Sequence, residues 1–243
     1  MRPALFAAAL LASSAFLANA PAAAQVGLAM PQPVPMPDAV PTARDIPYPG
    51  TIRLDIDASD TSRGIYRVVE TIPVRPGPLT LLYPQWLPGN HGPSGPIASL
   101  AGIRVTAGGR AIPWMRDPSY VYAFHVDVPA GVHEIRVEFQ HLSPTDSGQG
   151  RVTMTPAMLN LQWEKMSLYP AGYFTRGIPI QANVTYPTGW TAASSLDVAS
   201  RDGSRISYRA VPYETLVDSP VFAGRNYRRF ELGNNMNLNV FAD

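Results

Sequence analysis

Short segments in which apolar and polar residues alternate with a period of two run through most of the chain, and this pattern limits the possible folds most strongly. In TIRLDIDA, the apolar residues Ile52, Leu54 and Ile56 are separated by charged residues, which predicts a strand with one buried face. The same alternation recurs in VYAFHVDV, HEIRVEFQHL and SRISYRAV. Turn signals such as Gly108-Gly109 lie between these segments, because glycine readily adopts the positive φ that tight hairpins need.

No long amphipathic helical window interrupts the alternating pattern. Only two short stretches favour a helix, residues 157–161 and residues 213–217. Many short strands separated by turns predict an all-β fold, either a large twisted antiparallel sheet or a β-sandwich.

The N-terminal part of the sequence has the composition of an export signal. MRPALFAAALLASSAFLANAPAAAQ combines one arginine, an apolar run and a small-residue cleavage pattern, which predicts a signal peptide over residues 1–24. Residues 25–48 are rich in proline, which favours extended conformations over helices and strand ladders, so we predict a disordered leader there. The folded domain is then expected over residues 49–243. A signal peptide without a retention or anchor motif predicts a periplasmic or secreted protein, with no membrane span after cleavage.

Charge and cysteine content exclude several classes of function. The chain has 19 basic and 18 acidic residues, so it lacks the excess of positive charge that binding to nucleic acid or to an anionic membrane requires. It has no cysteine, so disulfides, a thiol nucleophile and thiolate metal ligands are all excluded.

No catalytic motif is recognisable in the sequence. A helical zinc-peptidase site needs H-E-x-x-H, but His133-Glu134 is followed by valine where the second histidine should stand, and this segment alternates like a strand. The nucleophile motif G-x-S-x-G is broken in GPSGP, where the last residue is proline. His125 fits a surface-facing or hydrogen-bonded histidine of a sheet better than a metal ligand. The residues alone therefore predict a β domain without a catalytic set.

The loop YPQWLPGNHGPSGP, residues 83–96, is the most unusual segment of the domain. Its four prolines stiffen the chain and its three glycines allow tight turns. We expect Trp86 to anchor the loop by burying its large apolar face. Asn90 and His91 are the candidates for contact with a substrate. The alternative is a structural loop, or one that meets another domain.

Four separated segments resemble the N-terminal region of the glycyl aminopeptidase family. They are YPQWLPGNHGPSGPI, YVYAFHVDVPAG, FQHLSPTDSGQGRVTMTPAMLNLQWEKMSLYPAGY and VPYETLVDSPVFAGRNYRR, and the resemblance extends over about residues 48–243. Members of this family are zinc metallopeptidases with a β-rich N-terminal domain, a thermolysin-like catalytic domain and a PDZ domain.

The resemblance implies a fold similar to the saddle-shaped N-terminal domain of the aminopeptidase N relatives. It places the zinc cofactor in a catalytic domain downstream on the same polypeptide. This chain lacks H-E-x-x-H and a PDZ-like region, so we expect that by itself it binds no zinc and hydrolyses no peptide. The partners expected are the downstream catalytic domain and a peptide substrate.

The resemblance also implies a substrate-binding residue. In related aminopeptidases, the N-terminal domain presents a glutamine or glutamate that holds the free amine of the substrate. Gln162 in LNLQWEKMSLYP has a similar place, before the turn at Pro170. The alternative is that Gln162 only pairs backbone groups at the end of a strand.

Two functions of different classes are compatible with these observations. The first is the non-catalytic N-terminal β domain of an exported zinc aminopeptidase, which supports the catalytic domain and forms one wall of the substrate cleft. The second is a stand-alone periplasmic module that binds a peptide or a glycan. The segment MNLNVFAD has the pattern of a strand that continues to a domain boundary, which favours the first function.

Overall fold

The computed structural model describes residues 40–87, 89–90, 92–234 and 236–243. In this part of the chain the structure is built mainly from strands. In chain order they are β1 (Ile52–Asp60), β2 (Ile65–Pro73), β3 (Gly77–Leu82), β4 (Leu100–Ala107), β5 (Arg110–Ile112), β6 (Trp114–Arg116), β7 (Ala123–Val128), β8 (Glu134–Leu142), β9 (Met158–Leu161), β10 (Tyr169–Pro170), β11 (Pro179–Thr185), β12 (Thr191–Ala193), β13 (Val198–Asp202), β14 (Arg205–Tyr208), β15 (Val211–Pro212), β16 (Val221–Gly224), β17 (Asn226–Gly233) and β18 (Met236–Ala242).

Helical structure is confined to short pieces among the described residues. One α-helix, α1, covers Tyr213–Val217, as the sequence predicted. Single 3-10 turns cover Ile97–Ser99, Ser147–Gln149, Trp163–Lys165 and Thr175–Gly177. None of the helices in the described residues is long and apolar enough to cross a membrane.

The strands form four sheets. The largest has nine strands in the order β13-β14-β11-β1-β2-β8-β4-β5, with β15 also paired to β11. All its pairings are antiparallel except that of β1 with β11, which is parallel. Three smaller sheets have the orders β10-β3-β7-β6, β12-β16-β9 and β17-β18. The predicted all-β fold, a set of mainly antiparallel sheets, is confirmed.

The core is built from the apolar face of each alternating strand. Ile52, Leu54 and Ile56 of β1 are buried, as the period of two predicted, and their charged neighbours are not. In β8 the alternation of HEIRVEF likewise buries one residue in two, so this segment is a strand as expected. Trp163 is fully buried, and its indole Nε1 donates a hydrogen bond of 2.6 Å to the carbonyl of Ser219.

The helix predicted at residues 157–161 is wrong. Most of that segment is strand β9, which pairs antiparallel with β16 in a register that sets Leu159 opposite Ala223. Leu159 and Leu161 are both buried, and their spacing of two fits a strand that has one face on the core. Five residues are too few for periodicity to separate a helix from a strand, so the pairing partner decides.

The end of the predicted leader contacts the domain. The Arg44 N–H donates to the carbonyl of Gly172 at 3.1 Å, and Arg44 forms a parallel bridge with Tyr173. Tyr48 is buried, and its ring meets that of Tyr173 edge to face at 5.0 Å. The predicted signal peptide and the leader up to residue 39 lie outside the described residues.

Candidate functional site

The loop at residues 83–96 is held by hydrogen bonds at both of its ends. Tyr83 is buried where the loop leaves β3, and its N–H donates to the carbonyl of Tyr122 at 2.8 Å. Near the other end, the N–H of Gly95 donates to the carbonyl of Gln85 at 2.9 Å, and the Tyr122 hydroxyl donates to the carbonyl of Gly95 at 3.0 Å. A Cβ at position 95 would lie 2.0 Å from the carbonyl oxygen of Pro84, so this crossing of the two loop arms requires glycine.

Trp86 does not anchor this loop, and that prediction is wrong. Its side chain is 65% exposed, although tryptophan is the largest apolar residue available. The backbone hydrogen bonds of Gly95 and the buried ring of Tyr83 fix the loop instead. Trp86 is therefore exposed to solvent next to a hydrogen-bonded crossing of the loop, which is unusual for a residue of its apolar area.

A cleft of about 500 Å³ brings together two of the three residues predicted to bind substrate. Asn90 and Gln162 both line it, and the third predicted residue, His91, lies outside the described residues. Asn90 is exposed, and its N–H donates to the carbonyl of Leu87 at 3.1 Å. The other lining residues are Leu87, Gly89, Ser94, Pro96, Gly150, Arg151, Glu164 and Lys165.

Gln162 is placed in the cleft by its neighbours in the chain. It follows β9 and directly precedes the 3-10 turn that begins with the fully buried Trp163. Its carbonyl accepts from the N–H of Lys165 at 3.0 Å, which closes that turn. A second hydrogen bond connects the end of this turn to the loop at residues 83–96, since the buried Tyr83 hydroxyl donates to the Lys165 carbonyl at 3.3 Å. The amide of Gln162 forms no cap to the turn, so it is available to a ligand on the cleft side.

Glu164 and Lys165 add opposite charges to the cleft. Each is only 7% exposed, and neither forms an ion pair with another described residue. Burial raises the pKa of the Glu164 carboxyl, and burial lowers the pKa of the Lys165 ammonium, since both charged forms lose hydration. Arg151, which also lines the cleft, lowers the pKa of Lys165 further by like-charge repulsion.

His141 lies close enough to Lys165 for the two to interact electrostatically. Its ring is buried, and burial together with the charge of Lys165 lowers its pKa to about 3. Its Nδ1 has no hydrogen-bond partner in the described residues. The imidazole is therefore neutral at physiological pH and adds no charge to this region.

Sequence reasoning missed the charged pair Glu164-Lys165. The signal was present, because these are the only charged residues of the segment LNLQWEKMSLYP and they stand next to a tryptophan. Two adjacent charges beside a residue that prefers the core are expected either to face solvent or to line a cleft. Only the burial of both side chains distinguishes these cases.

The described residues contain no group of three or more histidine, aspartate or glutamate side chains able to hold a metal ion. His125 illustrates why a lone histidine here has a structural role. Its Nε2 lies 2.9 Å from the carboxylate of Asp117 and its Nδ1 lies 3.1 Å from the Thr80 hydroxyl, so both ring nitrogens have partners. Hydrogen bonds from the Tyr120 N–H and from His125 lower the pKa of Asp117 to about 2. The prediction of a hydrogen-bonded sheet histidine is confirmed.

Comparison with known protein families identifies this architecture. Residues 53–225 match the family described as the Peptidase M61 N-terminal domain. The chain belongs to this family. The match includes both the loop at residues 83–96 and the Gln162 segment, so the cleft is built within the M61 N-terminal domain. The predicted relationship to an N-terminal peptidase domain is confirmed.

One solved structure supports the same fold for this M61 N-terminal domain. The aminopeptidase N family protein from Idiomarina loihiensis superimposes with a TM-score of 0.65 at 18% identity, over 78% of this chain and 32% of that chain. An M1 zinc metallopeptidase from Deinococcus radiodurans, bound to a Tyr-Ser-Ala substrate, gives a TM-score of 0.43 at 14% identity. That alignment covers 80% of this chain and 46% of the Deinococcus chain. The chain thus spans less than half the length of either structure. Among curated proteins, none matches it significantly.

Proposed function

We propose that this chain is the non-catalytic N-terminal β domain of an exported zinc aminopeptidase, where it supports the catalytic domain and forms one wall of the substrate cleft. The observation that carries this proposal is the cleft itself. Asn90 and Gln162, chosen from the sequence for substrate contact, line the same cleft as the buried Glu164 and Lys165, neither of which forms an ion pair with another residue that the structure describes.

The cleft offers groups that suit the end of a peptide. The Oε1 of Gln162 can accept a hydrogen bond from a substrate ammonium, and the carboxyl of Glu164 can add an opposite charge. Lys165 and Arg151 can interact with a peptide carbonyl or carboxylate. Burying a charge without a partner is costly, so a zwitterionic peptide that supplies both partners would offset part of that cost.

The hairpin β17–β18 supports the proposed role beside a catalytic domain. It lies outside the family match, which ends at residue 225. Phe230 and Leu238 are paired across the hairpin and Val240 lies two residues further along, so all three share one face. These three side chains are 39%, 48% and 38% exposed, an apolar face typical of a surface that packs against another domain.

Zinc belongs to the proposed function as a cofactor of the catalytic domain. A peptidase zinc polarises the scissile carbonyl and activates water. The described residues of this chain provide no ligand set that fits the ion, so we assign no metal step to them. The part proposed for this chain is to bind and orient the amine end of the substrate.

The test requires the complete protein. The proposal first predicts that the reading frame continues past the codon for Asp243 and encodes H-E-x-x-H. In that protein, Gln162→Ala should lower kcat/KM for substrates with a free N-terminus by about 10- to 100-fold, the effect of one hydrogen bond to a charged group. N-acetylated substrates should show no comparable loss, and the enzyme should be recovered from the periplasm or the medium.

A control separates this role from a structural one. Gln140→Ala removes the same group from an exposed position on β8 that does not line the cleft, and it should leave kcat/KM unchanged. A stop codon directly after Asp243 would contradict the proposed function. An earlier melting transition of Gln162→Ala with unchanged selectivity for free N-termini would instead show that Gln162 is a strand-end partner.

A further inference from the structure

A second groove of about 210 Å³ has four aromatic residues among the ten that line it. The exposed Trp86 and three tyrosines, Tyr120, Tyr169 and Tyr213, contribute to it. The Tyr169 and Tyr213 rings lie 5.1 Å apart between centroids at an angle of 47°. The substrate cleft described above shares none of these residues, although both sites use the loop at residues 83–96.

Two of the three tyrosine hydroxyls of this groove form hydrogen bonds within the protein. The Tyr120 hydroxyl donates to the Oε1 of Gln85 at 2.6 Å, and the Tyr213 hydroxyl lies 2.8 Å from the Oγ of Ser167. These bonds hold the two rings in place. Tyr213 is buried, so the aromatic surface that a ligand can reach belongs to the exposed Trp86 and to the partly buried Tyr120 and Tyr169. The faces of these rings carry partial negative charge.

Two carboxylates complete the lining. Glu214 lies in the first turn of α1 and Asp218 caps its end, four residues further, so both project from the same side of the helix. The buried Tyr213 and Leu216 fix α1 against the core. Neither carboxylate forms an ion pair with a described residue, and no lysine or arginine lines the groove. The groove thus has an uncompensated negative charge beside exposed aromatic surface.

We propose that this groove binds the guanidinium of an arginine side chain in a peptide. A planar guanidinium stacks on aromatic rings and donates to carboxylates at the same time, whereas a compact ammonium is more strongly hydrated and cannot stack. A purely apolar ligand would make no use of the charges of Glu214 and Asp218, which are exposed at the edge of the groove. The site is independent of the proposed aminopeptidase role, since an internal arginine has no free amine for Gln162.

The probe for this site is N-acetyl-L-arginine N-methylamide, titrated into the purified chain and followed by calorimetry and tryptophan fluorescence. A single side chain in a groove of this size should bind with Kd of about 1 mM, and ligand stacking should change the emission of Trp86. The citrulline analogue has the same shape without the charge. It should bind at least about tenfold more weakly, because it forms no charge-assisted hydrogen bonds.

Variants assign the binding to the groove. Glu214→Gln combined with Asp218→Asn should weaken arginine binding by about tenfold or more, and Trp86→Ala should abolish the fluorescence change. Asp127→Asn removes a charge from an exposed position on β7 outside the groove and should leave Kd unchanged. Circular dichroism of each variant confirms folding. Equal binding of arginine and citrulline, no binding at about 10 mM, or an equal loss with Asp127→Asn would overturn the proposal.

Discussion

Glu70 is a carboxyl group enclosed in the core of the largest sheet. It lies on β2 with no exposed surface, and both of its oxygens accept from a single donor, the N–H of Leu168, at 3.1 and 3.0 Å. One N–H cannot replace the hydration of a carboxylate, so burial raises the pKa of Glu70 well above its ordinary value of 4.5. The folded state therefore keeps this proton at pH values where the unfolded state has lost it.

This difference predicts how stability depends on pH. The contribution of Glu70 is fully present below pH 4.5 and is lost as the pH rises toward its folded pKa, at about 1.4 kcal/mol per pH unit. Glu70→Gln removes the titrating group, so the variant should lack this slope and exceed the parent in stability at pH 8. Urea denaturation at several pH values measures both profiles. Glu134→Gln, whose side chain is 57% exposed, is the control, and parallel profiles for Glu70→Gln and the parent would contradict the prediction.

Truncation of Trp163, next to the substrate cleft, and of Trp86, in the aromatic groove, should change the free energy of unfolding by very different amounts. Trp163 is fully buried and hydrogen-bonded to Ser219, so Trp163→Ala should cost about 3–5 kcal/mol of unfolding free energy. Trp86 is 65% exposed, so Trp86→Ala should stay within about 0.5 kcal/mol of the parent. Thermal and urea melts compare the two variants. A large loss with Trp86→Ala would show that the loop depends on this side chain after all.

At the level of structural elements, the loop at residues 83–96 determines the geometry of both sites. Its arms meet where Gly95 bonds to Gln85, with Asn90 toward one cleft and Trp86 toward the aromatic groove. The hydrogen bond between the two arms and the buried ring of Tyr83 fix the ends of the loop without a contribution from the Trp86 side chain.

Two glycines of this loop provide a matched test. Gly95→Ala would place a Cβ 2.0 Å from the Pro84 carbonyl oxygen and should cost about 1–3 kcal/mol, since one loop arm must move. Gly92 has no heavy atom within 4 Å of its Cβ position and no positive φ, so Gly92→Ala should stay within about 0.5 kcal/mol. Chemical denaturation measures the difference. Equal stabilities would mean that the arms separate at little cost.

At the level of the whole molecule, most apolar side chains of the described strands are buried, but those of the hairpin β17–β18 are not. The hairpin β17–β18 is exposed over nearly its whole length, and Leu232 and Met236 near its turn are 59% and 55% exposed. The two strands pair from Asn226 to Glu231 without interruption, and the register shifts between Glu231 and Gly233 near the turn. A paired hairpin with an uncovered apolar face is typical of a surface that packs against another domain.

Polar substitutions on this face should therefore affect stability differently in this chain alone and in the complete peptidase. Leu232→Ser with Leu238→Ser should leave the unfolding free energy of this chain within about 0.5 kcal/mol of the parent for each change, because both residues are exposed. In the complete peptidase the same pair should lower the melting temperature, measured by calorimetry. Val121→Ser, at a position 43% exposed elsewhere in the chain, is the control and should have no effect in either context. An unchanged complete protein would mean that nothing covers the hairpin.

The sequence by itself determined the local features of this protein. Alternation along β1 and β8 predicted which residues are buried, because the side chains of a strand point to opposite faces whatever its partner is. The resemblance in the segments around the Trp86 loop and Gln162 identified the peptidase family, since these segments carry its residues directly. Asn90 and Gln162 could be selected as candidates on the same basis.

Only the tertiary structure decided which residues meet. The strand at residues 158–161 required its partner β16, and the exposure of Trp86 required the bond between Gly95 and Gln85, a contact that no local pattern encodes. Glu164 and Lys165 line the cleft because they share a short turn with Trp163, which is buried in the core. The aromatic groove likewise joins Trp86 to Glu214, residues more than a hundred positions apart. Burial and charge pairing depend on neighbours across the fold, and a sequence pattern reports only neighbours along the chain.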